Sequence, residues 1–323
     1  MKHTWKITAI LLTMFIVTQL IGLAVIHADI FHLEVEVNGT IQKVSNPQLS
    51  WIEPPEPRTQ TEFGSILFSI AIAFVIAIIA IFLLSKIKIA YLLRYWFFAV
   101  VVLAIFLCIY AFEKLVPWVI NPQIAFIIPL LIAIPLAFFK IFRQHIIIHN
   151  LTELMVYPGI AAIFVPILNI WTIIIFLIAI SAYDIWAVWH SGFMQKMAKF
   201  QINKLKLFAG FFVPYAGEKQ RKEIKLLRQK YQNKKIPESV IKKKKIRVSL
   251  AILGGGDVIF PIIAAGIFLR FFGIIPALIV TLFATLALLF LFILAKKGKF
   301  YPAMPFITSG IFVGMLIGWL VTL

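Results

Sequence analysis

Long apolar runs separated by short polar stretches make up most of this chain. A helix that crosses a bilayer needs about 20 mostly apolar residues. Nine runs qualify: Ile7–Ala28, Phe63–Leu84, Ala90–Phe112, Pro117–Phe139, Leu154–Leu168, Ile170–His190, Val248–Leu269, Phe272–Ala295 and Pro302–Leu323. The pattern predicts an all-α polytopic membrane protein with nine transmembrane helices. Met1–Lys6 and the apolar residues after it look like the start of a secretory signal. The run continues to Ala28, long for such a segment, so it reads as a first span. As one helix, the stretch from Leu154 to His190 would reach roughly 55 Å, beyond a hydrocarbon layer of about 30 Å. It has to turn, and Pro166 with Asn169 is the natural place, which leaves the fifth span short or tilted.

The polar connections orient the spans. The first, Asp29 to Glu62, is mainly acidic, with Asp29, Glu34, Glu36, Glu53, Glu56 and Glu62 against Lys43 and Arg58. Lys86 and Lys88 follow the second span, Lys140 and Arg143 the fourth, and Lys296, Lys297 and Lys299 the eighth. The longest connection, after the sixth, is crowded with lysine and arginine and includes the run Lys242–Lys245. Lys and Arg collect in cytoplasmic loops. Nine spans with a cytoplasmic N-terminus and an external C-terminus satisfy that bias. The chain then divides into residues 1–190 (spans one to six), 191–247 (a basic cytoplasmic loop) and 248–323 (spans seven to nine). Within the loop, Leu205, Leu207, Phe208, Phe211 and Phe212 among lysines predict a stretch on the membrane surface. Lys219–Tyr231 reads as a polar helix. Asn38-Gly39-Thr40 is a glycosylation triplet of a kind common by chance.

Composition removes other classes. The chain is 62% hydrophobic and 14% charged, where a soluble domain has roughly 25% charged residues. Lipid is therefore its main solvent. A net charge of +18 would suggest nucleic acid in a soluble protein. Here the basic residues sit between spans, so no nucleic-acid partner is expected, and anionic lipid at the basic loop is a secondary contact. Cys108, alone in an apolar run, reads as a small buried residue with no disulfide or metal role.

Of 13 acidic residues, only Asp184 and Asp257 fall well inside apolar spans. A carboxylate there costs several kcal/mol, so its default reading is functional. Asp184 lies six residues before His190, and Asp257 nine residues after Val248, on consecutive antiparallel spans. At ~1.5 Å per residue both sit ~9–14 Å from the cytoplasmic boundary. Gly254-Gly255-Gly256 precede Asp257 directly. In a helix interior each glycine costs about 1 kcal/mol relative to alanine. They predict close approach by a neighbouring helix, or local flexibility. At the start of the ninth span, Pro302 and Pro305 flank Ala303-Met304. Two prolines there prevent regular helix and free backbone groups for an extended peptide.

Tyr183-Asp184, Gly254-Gly255-Gly256-Asp257 and Pro302-Ala303-Met304-Pro305 resemble the YD, GxGD and PAL motifs of the presenilin and signal-peptide-peptidase family, in order and in span. Met304 departs from the usual Leu, and Gly255 stands at the variable position. The N-cytoplasmic orientation is similar to presenilin rather than signal peptide peptidase. The short loops look most like an archaeal homologue, which implies the cell membrane of a prokaryote.

The resemblance implies an intramembrane aspartyl endopeptidase of the GxGD type. Asp184 and Asp257 would be catalytic, Tyr183, Gly254, Gly255 and Gly256 supporting, and Pro302, Ala303, Met304 and Pro305 substrate-binding. Substrates would be transmembrane helices of other proteins, with no metal or cofactor, and a homo-oligomer is open. Two carboxyls sharing one site cannot easily both ionise, so the pair holds one proton. One member can act as base on water while the other polarises the scissile carbonyl. A substrate helix must first unwind, and its strand can pair near Pro302–Pro305 and the start of the seventh span.

Other classes share these features. A proton- or ion-coupled transporter or channel also uses intramembrane carboxylates and broken helices, although no internal repeat is evident. A prepilin-type peptidase carries a GxGD motif but would lack the Pro302–Pro305 element. A non-catalytic scaffold is the remaining alternative.

Overall fold

The computed structural model describes residues 5–37, 40–84, 90–116, 121–143, 145–190, 209–215, 249–295 and 301–323. The α-helices among these are α1 (Trp5–His27), α2 (Gln60–Leu84), α3 (Ala90–Leu115), α4 (Pro122–Phe138), α5 (Ile146–Ile167), α6 (Ile170–Trp189), α7 (Gly255–Phe272), α8 (Ile274–Leu294) and α9 (Met304–Leu320). A π-helical turn, Phe139–Arg143, continues α4. Two antiparallel pairs complete the described fold: β1 (His32–Val37) with β2 (Thr40–Ser45), and β3 (Gly210–Tyr215) with β4 (Ser249–Gly254).

Seven helices among the described residues are long and apolar enough to cross a membrane: α1, α3, α4 with its π turn, and α5 to α8. α2 and α9 are the other apolar helices. Helices suit this environment because they satisfy their backbone polar groups internally.

The turn expected near Pro166 and Asn169 is present. Asn169 caps α6 through a reciprocal box: its side chain accepts the Thr172 N–H at 2.8 Å, and the Thr172 hydroxyl accepts the Asn169 N–H at 2.8 Å. Other expectations fail. α5 begins at Ile146 rather than Leu154 and has 22 residues, so it is not short. Residues 249–254, taken as the start of a helix, form β4, and the helix begins only at Gly255. The glycine run thus marks a strand-to-helix junction, not a helix interior. Phe211 and Phe212 belong to β3, and Phe211 is fully buried, so they do not lie on a membrane surface. The acidic connection after α1 contains the β1–β2 hairpin. The rest of the basic loop, including Lys219–Tyr231 and Lys242–Lys245, lies outside the described residues, as do Lys86, Lys88, Lys296, Lys297 and Lys299.

α1 is central, packing against α5, α7, α8 and α3. The most extensive helix contact, α8 against α9, has a steric cause. Gly310, Gly314 and Gly318 recur every four residues along α9. A Cβ at Gly310 would lie 2.5 Å from the Ala287 Cβ and 2.6 Å from the Phe283 carbonyl oxygen. Small residues at this spacing let backbones approach where lipid offers no hydrophobic drive. Gly159 does the same for α5 on α3, where a Cβ would sit 1.9 Å from the Ala104 carbonyl oxygen.

The hairpin end of the bundle is tied by polar contacts. Asn46 donates to the Ile30 carbonyl at 2.9 Å and to the Tyr110 hydroxyl at 3.0 Å. Lys114 donates to the carbonyls of Asp29 and His32. Asp29, with φ of 45°, accepts from the His32 ring and from Lys43, each at 2.8 Å. The opposite end carries the β3–β4 sheet, the last turns of α6 and the starts of α7 and α9.

Candidate active site

Asp184 sits in the penultimate turn of α6 and is buried, with 5% of its surface exposed. Its Oδ2 accepts the Met304 N–H at 3.0 Å, and the Ala303 N–H is a second backbone donor. Met304 opens α9, Pro305 stands in its first turn and Pro302 precedes it. The backbone groups that the two prolines were expected to leave for a peptide therefore include two N–H groups already aimed at Asp184. One turn away, the Ser181 hydroxyl donates to Thr308 at 2.9 Å and fixes α6 to α9. Tyr183 is half-buried, its ring centroid 6.3 Å from that of Trp186.

Asp257 stands in the first turn of α7, third after the Gly254 N-cap. From there its carboxyl reaches back and accepts the Gly254 N–H, one half of a capping box. A Cβ on Gly254 would lie 3.1 Å from the Asp257 Oδ2. A Cβ on Gly255 would lie 2.9 Å from the Tyr157 hydroxyl of α5, whereas one on Gly256 would meet only Phe260, at 3.5 Å. Close approach is thus required at Gly255 and comes from a tyrosine side chain. Gln19 of α1 donates to the Val258 carbonyl at 3.0 Å, anchoring the same turn.

Asp184 and Asp257 interact electrostatically across the gap between α6 and α7. Each faces the N-terminus of a helix, α9 for Asp184 and α7 for Asp257. Helix N-termini carry partial positive charge and unpaired N–H donors, which stabilise a nearby anion. That arrangement offsets part of the cost of a carboxylate in an apolar layer. Among the described residues, no group of three or more His, Cys, Asp or Glu side chains could hold a metal ion.

The strand leading into Asp257 has a defined polarity. β4 pairs with β3 in the register Gly210↔Gly254, Phe212↔Ile252 and Pro214↔Leu250. Asn150 of α5 accepts the Phe212 N–H at 2.9 Å and donates to the Phe212 carbonyl at 2.7 Å. Phe212 therefore points its backbone groups away from β4. In an antiparallel pair, opposite residues of a non-hydrogen-bonded position both point outward. Ile252, and Leu250 two residues earlier, direct their N–H and C=O groups to the outer edge of β4. Among the described residues no strand lies on that edge, and the Ile252 side chain is 39% exposed.

Sequence reasoning missed the α5 residues beneath this sheet. Glu153, just ahead of the run predicted as the fifth span, is buried and pairs with Lys140 at 2.7 Å, both side chains almost fully covered. His149 and Tyr157 stand one turn to either side of Glu153. The signal was present as polar residues at helical spacing inside an apolar run.

A family model described as signal-peptide peptidase, presenilin aspartyl protease matches residues 43–323, and the chain belongs to that family. It is an integral multi-pass membrane protein of the presenilin-like, aspartyl intramembrane protease class. Its fold is similar to that of a presenilin family intramembrane aspartate protease solved in space group C222, with 14% identity and a TM-score of 0.60 over 97% of this chain and 99% of that one. A second structure, of a presenilin family intramembrane aspartate protease in space group P2, is similar at 15% identity and a TM-score of 0.58, covering 96% of each chain. At such identities the likeness concerns the fold alone. No curated protein matches this chain in sequence.

Proposed function

We propose that this chain is a GxGD-type endopeptidase that hydrolyses peptide bonds within transmembrane helices of other membrane proteins, with Asp184 and Asp257 as the catalytic pair. The observation that carries this is the convergence of two interacting carboxyls, each held by a helix N-terminus, beside the outer edge of β4. The pair shares one proton. The ionised carboxyl takes a proton from water as the water oxygen attacks the scissile carbonyl carbon. The protonated carboxyl gives its proton to the carbonyl oxygen. The resulting diol collapses as the amide nitrogen receives a proton, the C–N bond breaks, and the dyad regains its single proton. Which carboxyl starts protonated is a property of the pair.

The substrate enters unwound, because helical peptide bonds are shielded by their own hydrogen bonds. Its strand adds to β4 through the N–H and C=O groups of Leu250 and Ile252. Each such bond contributes about 1 kcal/mol net. Gly254, Gly255 and Gly256 carry that strand into Asp257. Pro302, Ala303, Met304 and Pro305 hold Asp184 on the far side and line the peptide there, beside Tyr183. Nine spans, with the N-terminus cytoplasmic and the C-terminus external, complete the reading. The loop charges support that orientation, with the site toward the cytoplasmic face, and the membrane would be the cell membrane of a prokaryote.

The test is cleavage of a synthetic transmembrane peptide by the purified protein in bicelles. Asp184→Asn and Asp257→Asn are each expected to lower turnover by about a thousandfold or more. Cleavage that persists in both variants overturns the dyad. An intact protein that cleaves nothing but moves ions in vesicles favours the transporter reading.

A further inference from the structure

The outer edge of β3 is closed by side chains of α5, which engage the outward N–H and C=O groups of both Gly210 and Phe212. The Asn150 amide engages the Phe212 N–H and C=O together, at 2.9 and 2.7 Å, as a neighbouring strand would. The His149 Nε2 bonds the Gly210 carbonyl at 2.8 Å, and the Glu153 Oε1 accepts the Gly210 N–H at 3.3 Å. Pro214, the next outward-facing residue of β3, has no N–H to offer. His149 also packs its ring on Phe212, with centroids 4.8 Å apart. Lys140, from the π turn after α4, holds Glu153 in place. The Tyr157 ring meets Phe211 edge-on at 5.7 Å, and its hydroxyl lies against Gly255. One helix therefore grips β3 and touches the residue two before Asp257.

We propose that Asn150, supported by His149 and Glu153, is a positioning residue that sets which substrate bond stands at the dyad. The inference rests on the reading of Asp184 and Asp257 as catalytic. A β-strand pair left free at both edges can add a peptide on either, and strand register is weakly held where nothing pins it. Here α5 completes β3, so among the described residues β4 is the edge left to accept the substrate. The same bonds fix the height of β4 relative to the helix bundle. The strand leads without a break into the α7 turn that holds Asp257, so fixing its height fixes the substrate residue opposite the carboxyls. Loss of the Asn150 amide would loosen β3 and β4 together and let the bound strand sit at more than one level.

The experiment maps cleavage products of a transmembrane peptide by mass spectrometry, using the full chain in bicelles. Asn150→Leu keeps the side-chain volume and removes both bonds. It is expected to lower kcat about tenfold, with a smaller change in KM, and to spread cleavage over neighbouring peptide bonds. Asn150→Asp keeps the acceptor for the Phe212 N–H and is expected to restore the wild-type bond with an intermediate rate. Hydrogen exchange reads the same contact without activity: residues 210–215 should be protected in the wild type and lose protection in Asn150→Leu. Wild-type products at a wild-type rate from Asn150→Leu overturn the proposal. If that variant does not fold, Asn150→Asp with wild-type turnover, or wild-type residues 210–215 exchanging as fast as a free peptide, does so. Cleavage that survives Asp257→Asn overturns the catalytic reading instead, and this inference with it.

Discussion

Removing Lys140 alone should be far more damaging than removing it together with the charge of Glu153. Nζ and Oε1 lie 2.7 Å apart, with the two side chains 6% and 1% exposed. At that distance unit charges attract by about 6 kcal/mol in an effective dielectric near 20. Taking both from water costs several kcal/mol per ion, so the intact pair is close to balance against an apolar pair. Lys140→Met breaks that balance. Among the described residues, Glu153 then keeps the Gly210 N–H at 3.3 Å and His149 at 3.4 Å. The expected cost is about 3 kcal/mol, the low end for a broken buried pair, because those two partners remain. Adding Glu153→Gln removes the stranded charge and keeps an acceptor for Gly210. The double variant should recover all but about 1 kcal/mol. Steric trapping in bicelles gives the unfolding free energies. A Lys140→Met value within about 0.5 kcal/mol of wild type, or a double variant no better than the single, refutes the reasoning.

Three further outcomes are expected. Gly159→Ala forces a methyl to within 1.9 Å of the Ala104 carbonyl oxygen, so α3 and α5 must part, at a cost of about 3 kcal/mol by the same assay. A neutral Gly159→Ala contradicts that contact. Pro302→Ala should lower turnover while leaving the unfolding free energy near wild type, and unchanged kinetics would remove the element from the mechanism. At Asp29, burial pulls the carboxyl upward, but hydrogen bonds from His32 and Lys43 outweigh it and hold it below the usual carboxylate range. A depressed folded pKa stabilises above the unfolded value, near about 3.9, and the benefit fades as pH falls through the folded one. Asp29 and Lys43 are 38% and 59% exposed, so solvent screening limits the effect to about 0.5 kcal/mol. Asn tolerates the positive φ, so Asp29→Asn isolates the charge. Its deficit should be present at neutral pH and absent at about pH 2. An equal deficit at both would sink the assignment.

Hydropathy was a sound guide wherever a helix is apolar throughout. The run read as Ile170–His190 is α6, Ile170–Trp189, because a spanning helix buries nothing that a hydropathy window cannot see. It failed where polar side chains are paired. His149, Asn150 and Glu153 look like the end of a membrane segment, yet they bond Lys140, Gly210 and Phe212 inside the fold. Partners distant in sequence are invisible to a local window. It failed again at Ser249–Gly254, whose apolar residues suit a strand or a helix equally. One miss was avoidable. Leu33, Val35 and Val37 alternate with Glu34 and Glu36, and Asn38-Gly39 follows, which is a hairpin signature. The two aspartates stood out from the sequence because each is a lone acid in an apolar run. Their donors are backbone N–H groups, which every residue but proline possesses and no residue name reveals.

The anchoring of both acids by helix starts has a consequence for how the chain can drift. A main-chain dipole is inherited with the backbone, whatever side chain it carries. Substitutions along α7 and α9 can accumulate while the field at Asp184 and Asp257 stays constant. What the field does not tolerate is a change in where those helices begin. A proline at position 304 deletes a donor to Asp184, and a residue inserted between Gly254 and Asp257 slides the acid out of the first turn of α7. Such a protein is robust to changes of residue identity and fragile to changes of spacing.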